Sequence, residues 1–254
     1  MDFQFTYVTD KGTVKKENQD SLLAVKARTG YGPAAFAVLC DGMGGLARGE
    51  LASAEAVQAF SRWFRERFFL CLDEGLAFER LKEEWELLIT ELNGRILNYG
   101  KRNRVSLGTT ATGLLLACGK CFGFHVGDSR AYEMAGGGIT QITKDQTVVQ
   151  RDVDRGLMTQ EEAAKSPRRN VLLQCVGASP FAKAEFFQRK IPEGGRYLLC
   201  SDGFVHELSQ EEMCGAFSAG PIAETAVRGL VETAKERGER DNITALLVWQ
   251  EERP

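Results

Sequence analysis

Four aspartates stand at the ends of four apolar runs. Asp41 follows "FAVLC" and precedes Gly42; Asp128 follows "FGFHVG"; Asp202 follows "RYLLCS" and precedes Gly203; Asp241, with Asn242, precedes "ITALLVW". An aspartate beside a glycine after a strand ordinarily makes a turn, and each position taken alone is read as a turn or a cap. Four in one chain raise a different question. If they converge, like charges a few ångströms apart repel strongly in a partly buried site, so protons or cations must accompany them. The chain has only two histidines, His125 and His206, and no two cysteine pairs spaced for zinc. Oxygen-only ligands of this kind select hard ions, Mg2+ or Mn2+. Several carboxylates, one of them shared, suit two ions about 3.5–4 Å apart. That arrangement serves phosphate esters, where a metal-bound water loses its proton near neutral pH and attacks in line. The spacing leaves convergence itself open.

The runs that carry these residues read as strands: Phe3–Thr9, Ser21–Val25, Ala34–Cys40, Gly108–Ala117, Phe122–Val126, Ala131–Met134, Ala184–Lys190, Tyr197–Cys200 and Ile243–Gln250. They are short, rich in β-branched and aromatic residues, and bounded by Gly, Asp or Pro. Helical spacing links Val57, Phe60, Phe64 and Phe68 from about Gly49, and then Phe78, Leu81, Trp85, Leu88, Leu92 and Ile96. A third helix is expected from about Pro221 to Arg237, after a Gly-Pro start signal. These stripes are core faces rather than ligand sites. "EMAGGGIT", Glu133–Thr140, is a turn between two strands. Hairpin connections imply antiparallel pairing and exclude a doubly wound parallel sheet. The expected fold is α+β: two central antiparallel sheets between helical layers, in one domain spanning residues 1–254.

Bulk properties narrow the class. The chain is 254 residues long and 43% hydrophobic, enough for a sizeable core. Its net charge is −3 with both signs interspersed, which argues against nucleic acid or an anionic membrane as a partner. No apolar run approaches the roughly 20 residues of a membrane span. The start, Met1-Asp2-Phe3-Gln4, does not read as a signal peptide, so a cytoplasmic protein is expected. The seven cysteines are scattered, mostly in apolar runs. "CGKC", Cys118–Cys121, lacks a second ligand pair for zinc and is read as two thiols around a hairpin turn at Gly119-Lys120.

The order of motifs resembles the metal-dependent serine/threonine protein phosphatases of the type 2C (PPM) family, in its bacterial branch. The stretches are "GTVKKENQDS", "CDGMGGLARGELAS", "GTTAT", "FHVGDSRAY", Ile142–Gly177, "LLCSDGF" and "ERDNITALLV", in family order over nearly the whole chain. The resemblance implies that Asp41 bridges two Mn2+ or Mg2+ ions, with the Gly42 carbonyl on one and Asp202 and Asp241 completing the other. It implies that Asp20 orients metal-bound water, and that Asp128 with Asp202 forms a third, weaker site. Residues 145–177 would be a flap beside the site that tunes substrate choice. The implied partners are phosphorylated proteins and a cognate serine/threonine kinase, and the expected state is a monomer.

The departures concern the substrate side. Lys15 stands where the family usually has an arginine that holds the substrate phosphate, a point charge in place of a planar fork. Gln19 replaces an acid that reaches metal through water; it keeps the acceptor and loses the charge. Met43 stands where animal members carry a histidine proposed as general acid, and Gln146 where "DHS" is commoner. His125 is expected to be a packed strand residue. Three readings follow: an active phosphatase acting on phosphoserine and phosphothreonine, a phosphatase-like regulatory module with weak or no turnover, and a protein whose strand-end aspartates are only turns. The intact set Asp41, Asp128, Asp202 and Asp241 favours the first.

Overall fold

The computed structural model describes residues 2–44, 48–218 and 224–251. The chain opens with strands β1 (Asp2–Asp10), β2 (Asp20–Thr29) and β3 (Gly32–Gly44), then helices α1 (Gly49–Glu66), α2 (Phe68–Asp73) and α3 (Phe78–Asn103). Five strands follow: β4 (Leu107–Thr109), β5 (Ala111–Ala117), β6 (Lys120–Val126), β7 (Arg130–Ala135) and β8 (Gly138–Gln141). After α4 (Val148–Asp154) and α5 (Gln160–Lys165) come β9 (Glu185–Lys190), β10 (Arg196–Cys200), α6 (Asp202–Val205), α7 (Gln210–Ser218), α8 (Glu224–Glu236) and β11 (Ile243–Glu251). One sheet runs β1-β11-β10-β7-β8; the other runs β2-β3-β5-β6-β9, with β4 on β3. Every pairing is antiparallel. No helix among the described residues is long and apolar enough to cross a membrane.

Strand alternation builds the layers. Side chains of a strand point to opposite faces in turn. On β3, Phe36, Val38 and Cys40 join the cluster under α1, α2 and α3, while Ala35, Ala37 and Leu39 face the other sheet. On β10, Leu198 and Cys200 pack under α6, α7 and α8, while Tyr197 and Leu199 point inward to meet Leu246 and Val248 of β11. The result is helix, sheet, sheet, helix, the expected architecture. Phe36 is fully buried and lies among Phe60, Trp63, Phe64, Trp85 and Phe124, its ring centroid 5.6 Å from Phe64 and 6.4 Å from Trp85. Deleting that ring leaves a cavity that rigid neighbours cannot refill. Phe36→Ala should therefore destabilise by about 3–5 kcal/mol in urea unfolding; a loss under about 1 kcal/mol would mean that the helical layer repacks freely.

Several elements differ from expectation. The run Gly108–Ala117 is broken at Thr110, which leaves the ladder to bond Asp41. Phe68 starts a separate short helix after Arg67. The hairpin turn is Cys118-Gly119, one residue earlier than expected, because Ala117 pairs with Lys120. Both turn residues have positive φ, 51° and 71°, as a two-residue hairpin turn requires. The third helix is seen from Glu224; residues 221–223 of its expected start lie outside the described residues.

The register sets the aspartates at one end of both sheets. Asp20 opens β2 directly opposite Asp41 on β3. In the other sheet, Cys200 at the end of β10 pairs with Arg130 of β7 and Ala245 of β11. Asp202, Asp128 and Asp241 each lie just beyond these strand ends. Thr244 of β11 donates to Asp20 Oδ2 at 2.6 Å and so ties the two sheets together beside the cluster.

Candidate metal centre

Backbone bonds fix the segments that carry Asp41 and Asp202. Asp41 N–H donates to Thr110 Oγ1 (2.8 Å), and its carbonyl accepts from Thr110 N (2.9 Å) and Thr109 Oγ1 (2.9 Å). Asp202 begins α6 after Ser201, whose N–H donates to the Thr244 carbonyl and whose hydroxyl accepts from Thr244 N–H. Asn242 fastens the loop carrying Lys15: its amide donates to the carbonyls of Lys11 and Glu17 and accepts from Gln19 N–H. At Gly42 a Cβ would lie 2.2 Å from the Gly49 carbonyl oxygen and 2.5 Å from that of Gln19, so only glycine lets β3 and the start of α1 cross here.

The carboxyls feel one another. Burial, and then the charges of Asp20, Asp202, Asp128 and Asp241, hold Asp41 well above the usual carboxylate range. Burial pushes Asp20 up to about 7, with Asp202 and Asp241 adding to it against hydrogen bonds from Thr244 and Ser201. Asp128 is raised by burial and by Asp202 and Asp145; Asp202 is raised by burial against the nearby His206. Lys15 Nζ sits 2.5 Å from Asp241 Oδ1. Burial disfavours its ammonium, but Asp241, Asp41 and Asp202 outweigh that and raise it.

Two observations test whether cations fit. Asp20 Oδ1 and Asp202 Oδ1 are buried side-chain oxygens with no hydrogen-bond partner, and such atoms demand one. The donor set is all oxygen, which suits Mg2+ or Mn2+. Among the described residues no three His, Cys, Asp or Glu side chains form a ready-made ligand shell. Mg2+ does not require one, since it keeps several waters and takes only one or two carboxylates. The oxygen donors present suit hard divalent cations.

The titration directions carry a stability consequence. An acid whose pKa is raised on folding binds more protons in the native state, so stability falls as pH rises between the unfolded and folded values. For Asp20 that window runs from its ordinary 3.8 to about 7. Metal-stripped protein should thus melt lower at pH 7.5 than at pH 5, and Mn2+ should remove the difference. A melting temperature that rises across this window without metal would contradict the reading.

The chain matches the protein phosphatase 2C family model over residues 12–247. It belongs to the protein phosphatase 2C family. Serine/threonine protein phosphatase PstP of Mycobacterium tuberculosis is 33% identical over 242 residues, 94% of this chain and 43% of that protein. This phosphatase 2C chain thus spans less than half the length of that relative. Serine/threonine phosphatase stp of Listeria welshimeri is 28% identical over 94% of this chain and 93% of its own. The catalytic domain of PstP, solved in complex with two manganese ions, superimposes with a TM-score of 0.81 at 30% identity, covering 97% of each chain.

Asp41 lies within electrostatic reach of Asp20, Asp128, Asp202 and Asp241. Lys15 lies against Asp241. If the Gln19 amide is turned to place its nitrogen toward Gly42, it can donate to the Gly42 carbonyl (3.2 Å) and accept from Gly49 N–H (3.1 Å). That carbonyl keeps a second lone pair for an ion. His125 is fully buried between Thr112 Oγ1 and the Lys144 carbonyl, a packed strand residue as expected. Burial lowers its pKa and keeps it neutral. Sequence reading missed His206 and Glu239. The first stands four residues after Asp202 and the second two before Asp241, and that spacing to two candidate ligands was the available signal. Residues 145–177 are anchored by Asp145, which takes a bidentate pair from Arg130, and by the Thr147–Leu172 bridge. With Asp128, Asp202 and His206 they border a cleft of about 160 Å3.

Proposed function

We propose that the chain hydrolyses phosphoserine and phosphothreonine monoesters in proteins, opposing a serine/threonine kinase and acting as a monomer. The observation that carries this reading is the pair of partnerless buried oxygens, Asp20 Oδ1 and Asp202 Oδ1, within a five-aspartate cluster. Asp41, the Gly42 carbonyl, Asp202 and Asp241 would hold two ions, and Asp128 with Asp202 a weaker third. When bound, such ions activate water and neutralise phosphate oxygens. The chain's own residues do the rest. Asp20, fixed by Thr244 through Oδ2, would leave its unpartnered Oδ1 to orient the attacking water. Thr109 and Thr110 keep the Asp41 backbone from following its side chain. Lys15 captures the substrate phosphate, and Gln19 fixes the Gly42 carbonyl.

The Lys15–Asp241 ion pair favours one alternative, a regulatory module with weak turnover in which lysine occupies a ligand. Phosphate release from phosphoserine and phosphothreonine peptides in Mn2+ separates the two. Sustained turnover supports the phosphatase. Binding of phosphopeptide without release, with any divalent ion, would move the chain to the regulatory reading.

A further inference from the structure

Glu239 and His206 lie outside every role assigned above, yet they join the two loops that carry Asp202 and Asp241. Glu239 is a buried carboxylate, 5% exposed, three residues past the end of α8. Its Oε1 accepts the backbone N–H groups of Arg240 (2.6 Å) and Asp241 (2.8 Å). Its Oε2 meets His206 Nδ1 at 3.2 Å. The other ring nitrogen, Nε2, faces Asp202 Oδ2 at 3.6 Å. His206 N–H also donates to the Asp202 carbonyl, one turn back along α6. Thr13 donates to the Glu239 carbonyl, which ties the Lys15 loop to the same post.

The two oxygens of Asp202 are therefore unequal. Oδ2 looks toward the imidazole, while Oδ1 is buried without a partner. A carboxylate that orients an imidazole, which in turn orients a metal-binding group, is the arrangement by which outer residues fix ligands and tune affinity. We infer that Glu239 and His206 are positioning residues for the metal centre. They turn Asp202 so that Oδ1 is presented to an ion, and they hold the Asp241 backbone beside it. Neither touches the substrate. The inference rests on the metal-centre reading of Asp41, Asp202 and Asp241 and adds a determinant of affinity to it.

The test measures Mn2+ binding by calorimetry and electron paramagnetic resonance on metal-stripped full chain. The variants are Glu239→Gln, His206→Phe, the double variant and Asp41→Asn, with folding checked by circular dichroism. Glu239→Gln keeps an acceptor for the two backbone N–H groups and removes the charge behind the imidazole; His206→Phe keeps the ring and removes both nitrogens. Each single variant should weaken Mn2+ binding by about 10–100-fold. The double variant should be no weaker than the worse single, because the pair acts as one unit. The phosphopeptide KM at saturating Mn2+ should not move. Unchanged Mn2+ affinity in folded variants, or strictly additive losses, would overturn the inference. If His206→Phe does not fold, Glu239→Gln decides on its own. Wild-type protein that binds no Mn2+, or an Asp41→Asn variant that binds it as well as wild type, would instead overturn the metal-centre reading.

Discussion

Asp41→Asn should lower kcat toward a phosphothreonine peptide by about three orders of magnitude, and EDTA should do the same to the wild type. The variant keeps shape and hydrogen-bonding capacity but loses the charge at the centre of the cluster. Asp41 is the carboxyl raised by all of Asp20, Asp202, Asp128 and Asp241, so it is the one that shares its surroundings with every other candidate ligand. Polarisation by a bound ion is worth several kcal/mol at the transition state, and about 4 kcal/mol corresponds to three decades in rate. The fold should survive, since the Asp41 backbone bonds to Thr110 do not involve its side chain. Steady-state kinetics at saturating Mn2+ with a melting curve of the same sample would check both parts. An Asp41→Asn protein with near-wild-type kcat would remove the basis for a bridging carboxylate.

Lys15→Gln should move two constants in opposite directions. Lys15 lies 2.5 Å from Asp241 Oδ1, and its side chain remains 40% exposed. A charged contact to a substrate phosphate is worth about 1.5–3 kcal/mol, so its loss should raise the phosphopeptide KM by about 10–100-fold. The same ammonium competes with a cation for Asp241. A half-exposed ion pair contributes only about 0–1 kcal/mol, so Mn2+ should bind up to about fivefold more tightly once it is gone. A residue that merely supports the loop would lower both affinities. Lys15→Arg should lower KM, because the guanidinium fork matches two phosphate oxygens. An unchanged KM in both variants would exclude Lys15 from phosphate capture.

Much of this was legible in the sequence for a plain physical reason. The near-continuous apolar runs "AAFAVLC" and "RYLLC", bounded by turn residues, mark strands buried on both faces, and chain connectivity alone places the aspartates that follow them at the strand ends. Thr110 shows where local reading fails. "GTTATGLLLA" has the composition of one strand, and only the approach of Asp41 from β3, far off in sequence, takes Thr110 out of the ladder. The turn at Cys118-Gly119 was displaced by one residue because pairing with β5, rather than turn propensity, set the register. Glu239 and His206 were hidden for a related reason. They are 33 residues apart and meet because β10 and β11 are neighbours. The ion pair of Lys15 with Asp241 likewise depends on Asn242 folding the 11–19 loop over the start of β11.

The central claim is that the strand-end aspartates of two sheets form one two-ion centre. Anomalous diffraction from crystals grown in Mn2+ tests it most directly. Two manganese peaks about 3.5–4 Å apart are expected, with Asp41 on both, Asp202 and Asp241 on one, and Lys15 displaced from Asp241. Manganese peaks that lie away from Asp41, or a well-ordered cleft without manganese and with Lys15 still on Asp241, would contradict it.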